Sequence, residues 1–230
     1  MISIYLTTFN DSFILPYTVA FYKSRFPKCS IVIYDNFSDD NTQEVAHSLG
    51  CVVKQFYTSN EMDDGAILRV KDNCWKDGVN RYAIVCDADE WLDIWPNELD
   101  GSFTIINAEV IDMVGMHEEV DMSKIKYGVI YDHHPRKMVL IDTTQIEQIN
   151  YAYGCHNAMP VGNVKFAPSK YYVKHHKFLS PNYIIGKNKI AGPRLSNANR
   201  QNGLSFHLNY GQRKIDKIFK NLRYQARLID

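Results

Sequence analysis

Asp87 and Asp89 stand two residues apart, directly after the apolar run Ala83, Ile84, Val85 and Cys86, and Glu90 and Asp93 follow at once. Carboxylates this close repel one another, and no lysine or arginine lies between Tyr82 and Asp93 to offset them. Protonation or a cation must relieve that repulsion. Hard carboxylate oxygens in a cleft suit Mg²⁺ or Mn²⁺, which take one or two protein carboxylates and fill the rest of the shell with phosphate oxygens and water. A divalent ion bridging the chain to a diphosphate is one reading of the pair. A solvated acidic loop before a helix start, where acids favour the helix dipole, is the other.

Lys71 adds to this. On a helix expected over residues 65–79, its neighbours three and four positions away are Ile67, Leu68, Cys74 and Trp75, so the lysine projects from the face that packs on the sheet. A lysine so placed either snorkels out to water or meets an anion. Thr7, Thr8, Asn10, Asp35 and Asn36 follow apolar runs of their own, where small polar side chains bond a base and ribose or cap the turns.

These groups need strands to carry them. Residues 2–8 alternate and are rich in β-branched side chains, and Pro16 suits the first turn of a helix reaching about Arg25. Residues 30–34 read as a second strand, Asn41 with Glu44 as a helix start, Gly50 as its stop, and residues 51–57 and 82–86 as further strands. Strand and helix alternate, which predicts an α/β fold with a mostly parallel sheet and helices on both faces. In such sheets ligands bind beyond the carboxyl ends of the strands, where Asp35 and Asp87 fall. The second half is more mixed: strands are expected over 110–116 and 138–142, an elaborated loop or hairpin over 150–178, and an amphipathic helix over 212–229 with Ile215, Ile218, Phe219, Leu222 and Ile229 as its apolar stripe.

Together, "ISIYLTTFN", "IVIYDNFSDDNTQEVAHSLG", "VKDNCWKD" and "AIVCDADEWLD" resemble the GT-A type glycosyltransferases of the family 2-like superfamily. More narrowly, they are similar to small glycosyltransferase domains with an N-x-W-K … D-x-D-E arrangement, including ones encoded by large algal viruses. "RKMVLI", "YGCHN" and "VKHHKFLSPNYIIGKNK" extend the resemblance more loosely to about residue 190. It implies a GT-A-like (Rossmann-like) fold and transfer of a sugar from a nucleoside-diphosphate-sugar donor, a UDP-sugar by expectation, to a glycan or glycoconjugate hydroxyl by inverting displacement. Thr8, Asn10 and Asp35 would serve the nucleoside, Lys71 the phosphates, Asp87 the ribose or metal, and Asp89 the Mn²⁺ or Mg²⁺. Glu90 would support this pair and Asp93 would be solvated. A third metal ligand from the later half would be His176, with His156, His175 and His207 as the other candidates. Glu118 and Glu119, with Asp132 beside them, are candidates for the base that deprotonates the acceptor.

The chain departs from the common pattern in lacking an E-D pair followed by a Q/R-x-x-R-W segment, which argues against a processive polysaccharide synthase. A nucleotidyltransferase making nucleotide sugars would place a glycine-rich, basic loop after strand one, and "TTFNDSFILP" has neither glycine nor base. A non-catalytic nucleotide-sugar-binding module would bind without turnover.

Composition bounds the rest. Lysine plus arginine and aspartate plus glutamate stand at 26 each, so no basic field draws the chain to nucleic acid. The length fits one domain over 1–230, divided here into a donor half (1–100), an acceptor half (101–211) and the closing helix (212–230). Five cysteines without CxxC spacing read as reduced core thiols. No apolar stretch approaches the ~20 residues of a spanning helix, and the start lacks a leader, so the expected compartment is the cytoplasm, that of the host if the chain is viral. The basic face of the closing helix could meet anionic lipid or a partner domain.

Overall fold

The computed structural model describes residues 1–131, 136–168 and 170–229. Asp132, named above beside the base candidates, lies outside them. The elements run β1 (Ile2–Thr8), α1 (Leu15–Arg25), β2 (Ser30–Asp35), α2 (Thr42–Ser48), β3 (Val52–Gln55), α3 (Asp64–Asn73), β4 (Tyr82–Asp87), β5 (Glu90–Leu92) and β6 (Ile105–Val114). There follow β7 (Tyr127–Val129), β8 (Lys137–Asp142), β9 (Ile146–Gln148), β10 (Val161–Gly162), β11 (Tyr172–Phe178), α4 (Pro181–Ala191), α5 (Asn197–Gln201), α6 (Gln212–Gln225) and β12 (Arg227–Leu228). They form two compact units, the first from residues 1–60, 64–109 and 135–173, the second from 61–63, 110–134 and 174–230. Both units are discontinuous in sequence.

In the first unit the strand order is β3-β2-β1-β4-β8-β6. β1 pairs with β2 and β4 in parallel, and every one of its residues is buried, the polar Ser3, Thr7 and Thr8 among them. β8 is antiparallel to both β4 and β6. Cys86 and Asp87 are adjacent on β4 and so point to opposite faces of the sheet. Tyr22 of α1 reaches the Cys86 thiol and Lys71 of α3 reaches Asp87, so these helices cover opposite faces. This is the α/β layout with a mostly parallel sheet that the alternation of elements predicts. On the α3 face Tyr5, Trp75, Ala83, Val85, Ile105 and Ile141 share one core.

α3 is shorter than expected. It ends at Asn73, whose side-chain amide bonds the Arg69 carbonyl, and the chain then turns through Gly78, whose N–H bonds the Trp75 carbonyl. Asn73, Asp77 and Gly78 are weak helix formers, and Trp75 gains more by entering the core than by prolonging the helix. Gly78 is also required sterically, because a Cβ there would lie 2.4 Å from the Tyr5 hydroxyl. All five cysteines are free thiols.

In the second unit the last residues of β6 pair with β7, and β7 pairs with β12, all antiparallel. Ile184, Ile215 and Phe219 form one core cluster, and Val114, Val129 and Leu222 another. The closing helix stops at Gln225, because Ala226 is extended and the tail adds a short strand in which the Ile229 N–H bonds the Lys126 carbonyl. Ile229 is therefore not on the apolar stripe. Ile215, Phe219 and Leu222 are buried in their own unit, while Arg213, Lys214, Lys217 and Lys220 are exposed. No described helix is long and apolar enough to cross a membrane.

Candidate functional site

The registers of the first unit set Thr7 beside Asp87 and Thr8 beside Asp35, so three strand ends deliver polar groups to one edge of the sheet. Thr7 donates its hydroxyl to Asp87 Oδ1. The Lys71 ammonium, almost fully buried, lies 2.7 Å from the same oxygen. From β8, the antiparallel neighbour of β4, Lys137 bonds the Glu90 carboxylate and stands 4.0 Å from Asp87 Oδ2. Glu90 is 1% exposed and its other oxygen accepts the Asp87 N–H at 3.3 Å. The turn holding Asp89 is pinned as well: the Ala88 N–H bonds the Thr7 carbonyl, and the Ala88 carbonyl accepts the Thr18 hydroxyl at 2.6 Å.

Two carboxylates, Asp87 and Glu90, thus face two buried lysines, and the Asp89 carboxylate adds its repulsion to Asp87. Burial alone would raise the Asp87 carboxyl, but Lys71 and Lys137 outweigh it, and with it the repulsion of Asp89, so the group sits below the usual carboxylate range. Burial would lower both ammoniums, yet Asp87 and Glu90 hold Lys71 well above, and Lys137 above, the ordinary lysine value. Of the two outcomes open to Lys71, snorkelling or meeting an anion, it takes the second. It meets a carboxylate of the chain itself. The crowding of acids is relieved largely from within, and Lys137, which the sequence reading left without a role, is half of the answer. Asp93 is also not a solvated acid: it accepts the Arg25 guanidinium at 2.8 Å, and that guanidinium lies over the ring of Phe21.

The loops after β1 and β2 are bound to each other. Asn10, with a left-handed φ of 52°, donates its amide to Asp39 and its N–H to the Ser38 hydroxyl. Thr8 donates to Asp11, whose N–H bonds the Thr42 hydroxyl. Asp40 accepts from Ser12 and Thr42, and the resulting hydrogen bonds outweigh burial to lower its carboxyl. Asp35 is fully buried and its oxygens take the Ser38 N–H, the Ser38 hydroxyl and the Gln43 amide. Asp35 therefore organises this loop. The exposed groups at this edge are aromatic: Phe37, left-handed at φ 55° and 45% exposed, meets Tyr57, 72% exposed, edge to face at 5.5 Å. A bulky residue held at positive φ on the surface is strained, which is the signal that would have singled it out.

Of the remaining candidates, His156 lies in the first unit and Glu118, Glu119, His175, His176 and His207 in the second. Glu118 is largely exposed and paired with Arg223 at 3.0 Å, and Glu119 is exposed. His176 is buried on β11, while its neighbour His175 places Nδ1 3.0 Å from the Asp112 carboxylate, a pair absent from the sequence reading. Among the described residues no group of three or more His, Cys, Asp or Glu is gathered for a metal. Mg²⁺ or Mn²⁺ needs only one or two carboxylates when phosphate oxygens complete its shell, and Asp87, with 38% of its side chain exposed, and the part-exposed Asp89 suit that requirement without a histidine.

No protein-family model and no curated protein matches the chain. Among solved structures it is similar to S. aureus TarS, at 13% identity and TM-score 0.48, over 96% of this chain and 43% of that one. It is also similar to residues 1–349 of TarS in complex with UDP-GlcNAc, at 12% identity and TM-score 0.44, over 96% and 70%. A mannosyltransferase from Pyrobaculum calidifontis, in complex with GDP-Man and Mn²⁺, aligns at 13% identity and TM-score 0.35 over 46% of this chain and 34% of its own. The chain spans less than half the length of the first structures it matches. Identities and scores this low carry no residue's role from one chain to another.

Proposed function

We propose that the chain is a glycosyltransferase that takes a sugar from a nucleoside diphosphate, a UDP-sugar in the first instance, and that Asp87 and Asp89 hold a divalent ion against the diphosphate. The observation that carries this reading is the charge at the end of β4. Two lysines against three carboxylates leave one net negative charge among these five groups. The two charges of a nucleotide-sugar diphosphate would bring that to three negative charges in a half-buried pocket, which is untenable, whereas a divalent ion returns it to one. When bound, the ion would act as a Lewis acid on the leaving diphosphate.

Within the chain, Lys71, Thr7 and Lys137 fix the Asp87 carboxylate, and the Glu90 carboxylate fixes Lys137. Asp89 stands two residues on, part-exposed on the same turn and felt by the Asp87 carboxylate. Phe37 and Tyr57 offer aromatic faces to the base, and the bonded loops carrying Asn10 and Asp35 hold the walls on either side. Glu118 and Glu119 stay the proposed acceptor bases, with E119Q the direct test because Glu118 already serves Arg223.

The reading is tested by calorimetric titration with UDP, GDP and dTDP, with and without Mn²⁺. The expected result is about tenfold tighter binding of one nucleotide with the ion, a gain of about 1.4 kcal/mol that D89N removes. Equal affinity with and without Mn²⁺, or a gain that survives D89N, would overturn the metal assignment.

A further inference from the structure

Two strands away from the acids, at the same end of the sheet, lies a cavity. Its volume is about 370 Å³, within the range of small-ligand sites, and its walls include Asn107, Glu109, Arg136, Phe166, Lys170 and Tyr171. Register fixes its place: Ala108 of β6 is opposite Lys137 of β8, and Lys137 is the residue that reaches Asp87. β4, β8 and β6 are successive strands, so the cavity stands roughly 10 Å from the line of β4. That is close enough for one ligand to touch both places.

Glu109 is the hub of its polar wall. One oxygen accepts Arg136 Nη2 at 3.0 Å, and Lys170 Nζ lies 3.7 Å from the same atom. Among the described residues this one carboxylate faces two cations, both more than half exposed, which leaves one positive charge in excess at the cavity. The other wall is the ring of Phe166, 52% exposed although its backbone is bridged to Ile105 and the Ala167 N–H bonds the Ile105 carbonyl. The Glu109 N–H likewise bonds the Tyr171 carbonyl, so the strand segments on both sides are held rigid. An aromatic face, a forked donor, a carboxylate and the Asn107 amide together match a pyranose, which has an apolar ring face and a rim of hydroxyls.

We infer that this cavity binds an acidic sugar unit of the acceptor, one carrying a carboxylate, sulfate or phosphate that answers the excess cation. The inference rests on the transferase reading for the word acceptor, but not for binding itself.

The test is an array of neutral and acidic oligosaccharides probed with the full chain, without donor, and repeated with R136A/K170A and F166A. Acidic glycans are expected to bind above their neutral counterparts, to lose about tenfold in R136A/K170A and to weaken in F166A. The Mn²⁺-dependent UDP titration should be unchanged in both variants, which also shows that they fold. Binding of no glycan, equal binding of neutral and acidic glycans, or full binding by R136A/K170A would overturn the inference. Acidic glycan binding by a chain that fails the UDP titration would uphold the cavity and sink the transferase reading, so the two failures are distinguishable. The arms carrying uronate, sulfate or phosphate identify the source of the charge.

Discussion

Lys137 is a case in which one buried charge makes sense only through another. Its ammonium and the Glu90 carboxylate are both withdrawn from water, and each is tolerable because the other is there. Removing one partner of such a pair leaves an uncompensated buried charge, so K137M is expected to destabilise the chain by about 3–5 kcal/mol in urea denaturation. K137M/E90L, which removes both charges and keeps an apolar filling, should recover most of that loss. A single-variant cost under about 1 kcal/mol, or additive costs in the double variant, would show that the pair is not coupled in this way. The residue escapes a reading of the sequence because Lys137 is far from Glu90 along the chain. Nothing in "RKMVLI" announces its partner, and only the pairing of β8 against β4 does.

At the scale of elements, polar side chains fasten segments that have little core of their own. The loops after β1 and β2 share the bonds among Asn10, Ser12, Ser38, Asp39 and Asp40. In the second unit, Lys177 on β11 holds His207 in the turn at Phe206–Asn209, Nζ to Nε2, at 3.2 Å. Burial first, then the charge of Lys177 and the nearness of His175, push the His207 imidazole down to about 4. A histidine lowered in the folded state is held neutral there, so its contribution is present above the unfolded value near 6.5 and is lost as pH falls from there towards 4. H207Q keeps an acceptor for Lys177 and cannot titrate. Its melting temperature should therefore fall less than the wild type's between pH 6.5 and 4.5, and parallel curves would remove His207 from the acid response.

For the whole chain, the equal count of acids and bases means that charge acts through local pairs and not through a net field. The same holds for the thiols, which are dispersed through the fold. Cys51, Cys74, Cys86 and Cys155 are buried and Cys29 only partly so, and burial raises even the Cys29 thiol. At pH 8 a disulfide reagent should modify no more than one thiol rapidly, Cys29, and five after denaturation without reductant. A denatured count of three would mean a disulfide. Two fast thiols would mean that a core cysteine is open to solvent.

The sequence alone determined the parts whose physics is local. Apolar, β-branched stretches mark β1, β2 and β4, Pro16 and Gly50 mark helix ends by their backbone preferences, and Asp87, the last residue of β4, and Asp89 mark where the apolar run ends. The tertiary structure decided what depends on distant partners. It showed that Lys71 answers Asp87, that Lys137 answers Glu90, that Asp35 is spent on its own loop, and that Ile229 leaves the helix to pair as a strand. A side chain's character is written in its own residue and its neighbours, whereas the charge that balances it is chosen by strand register, which brings together residues that no local pattern relates.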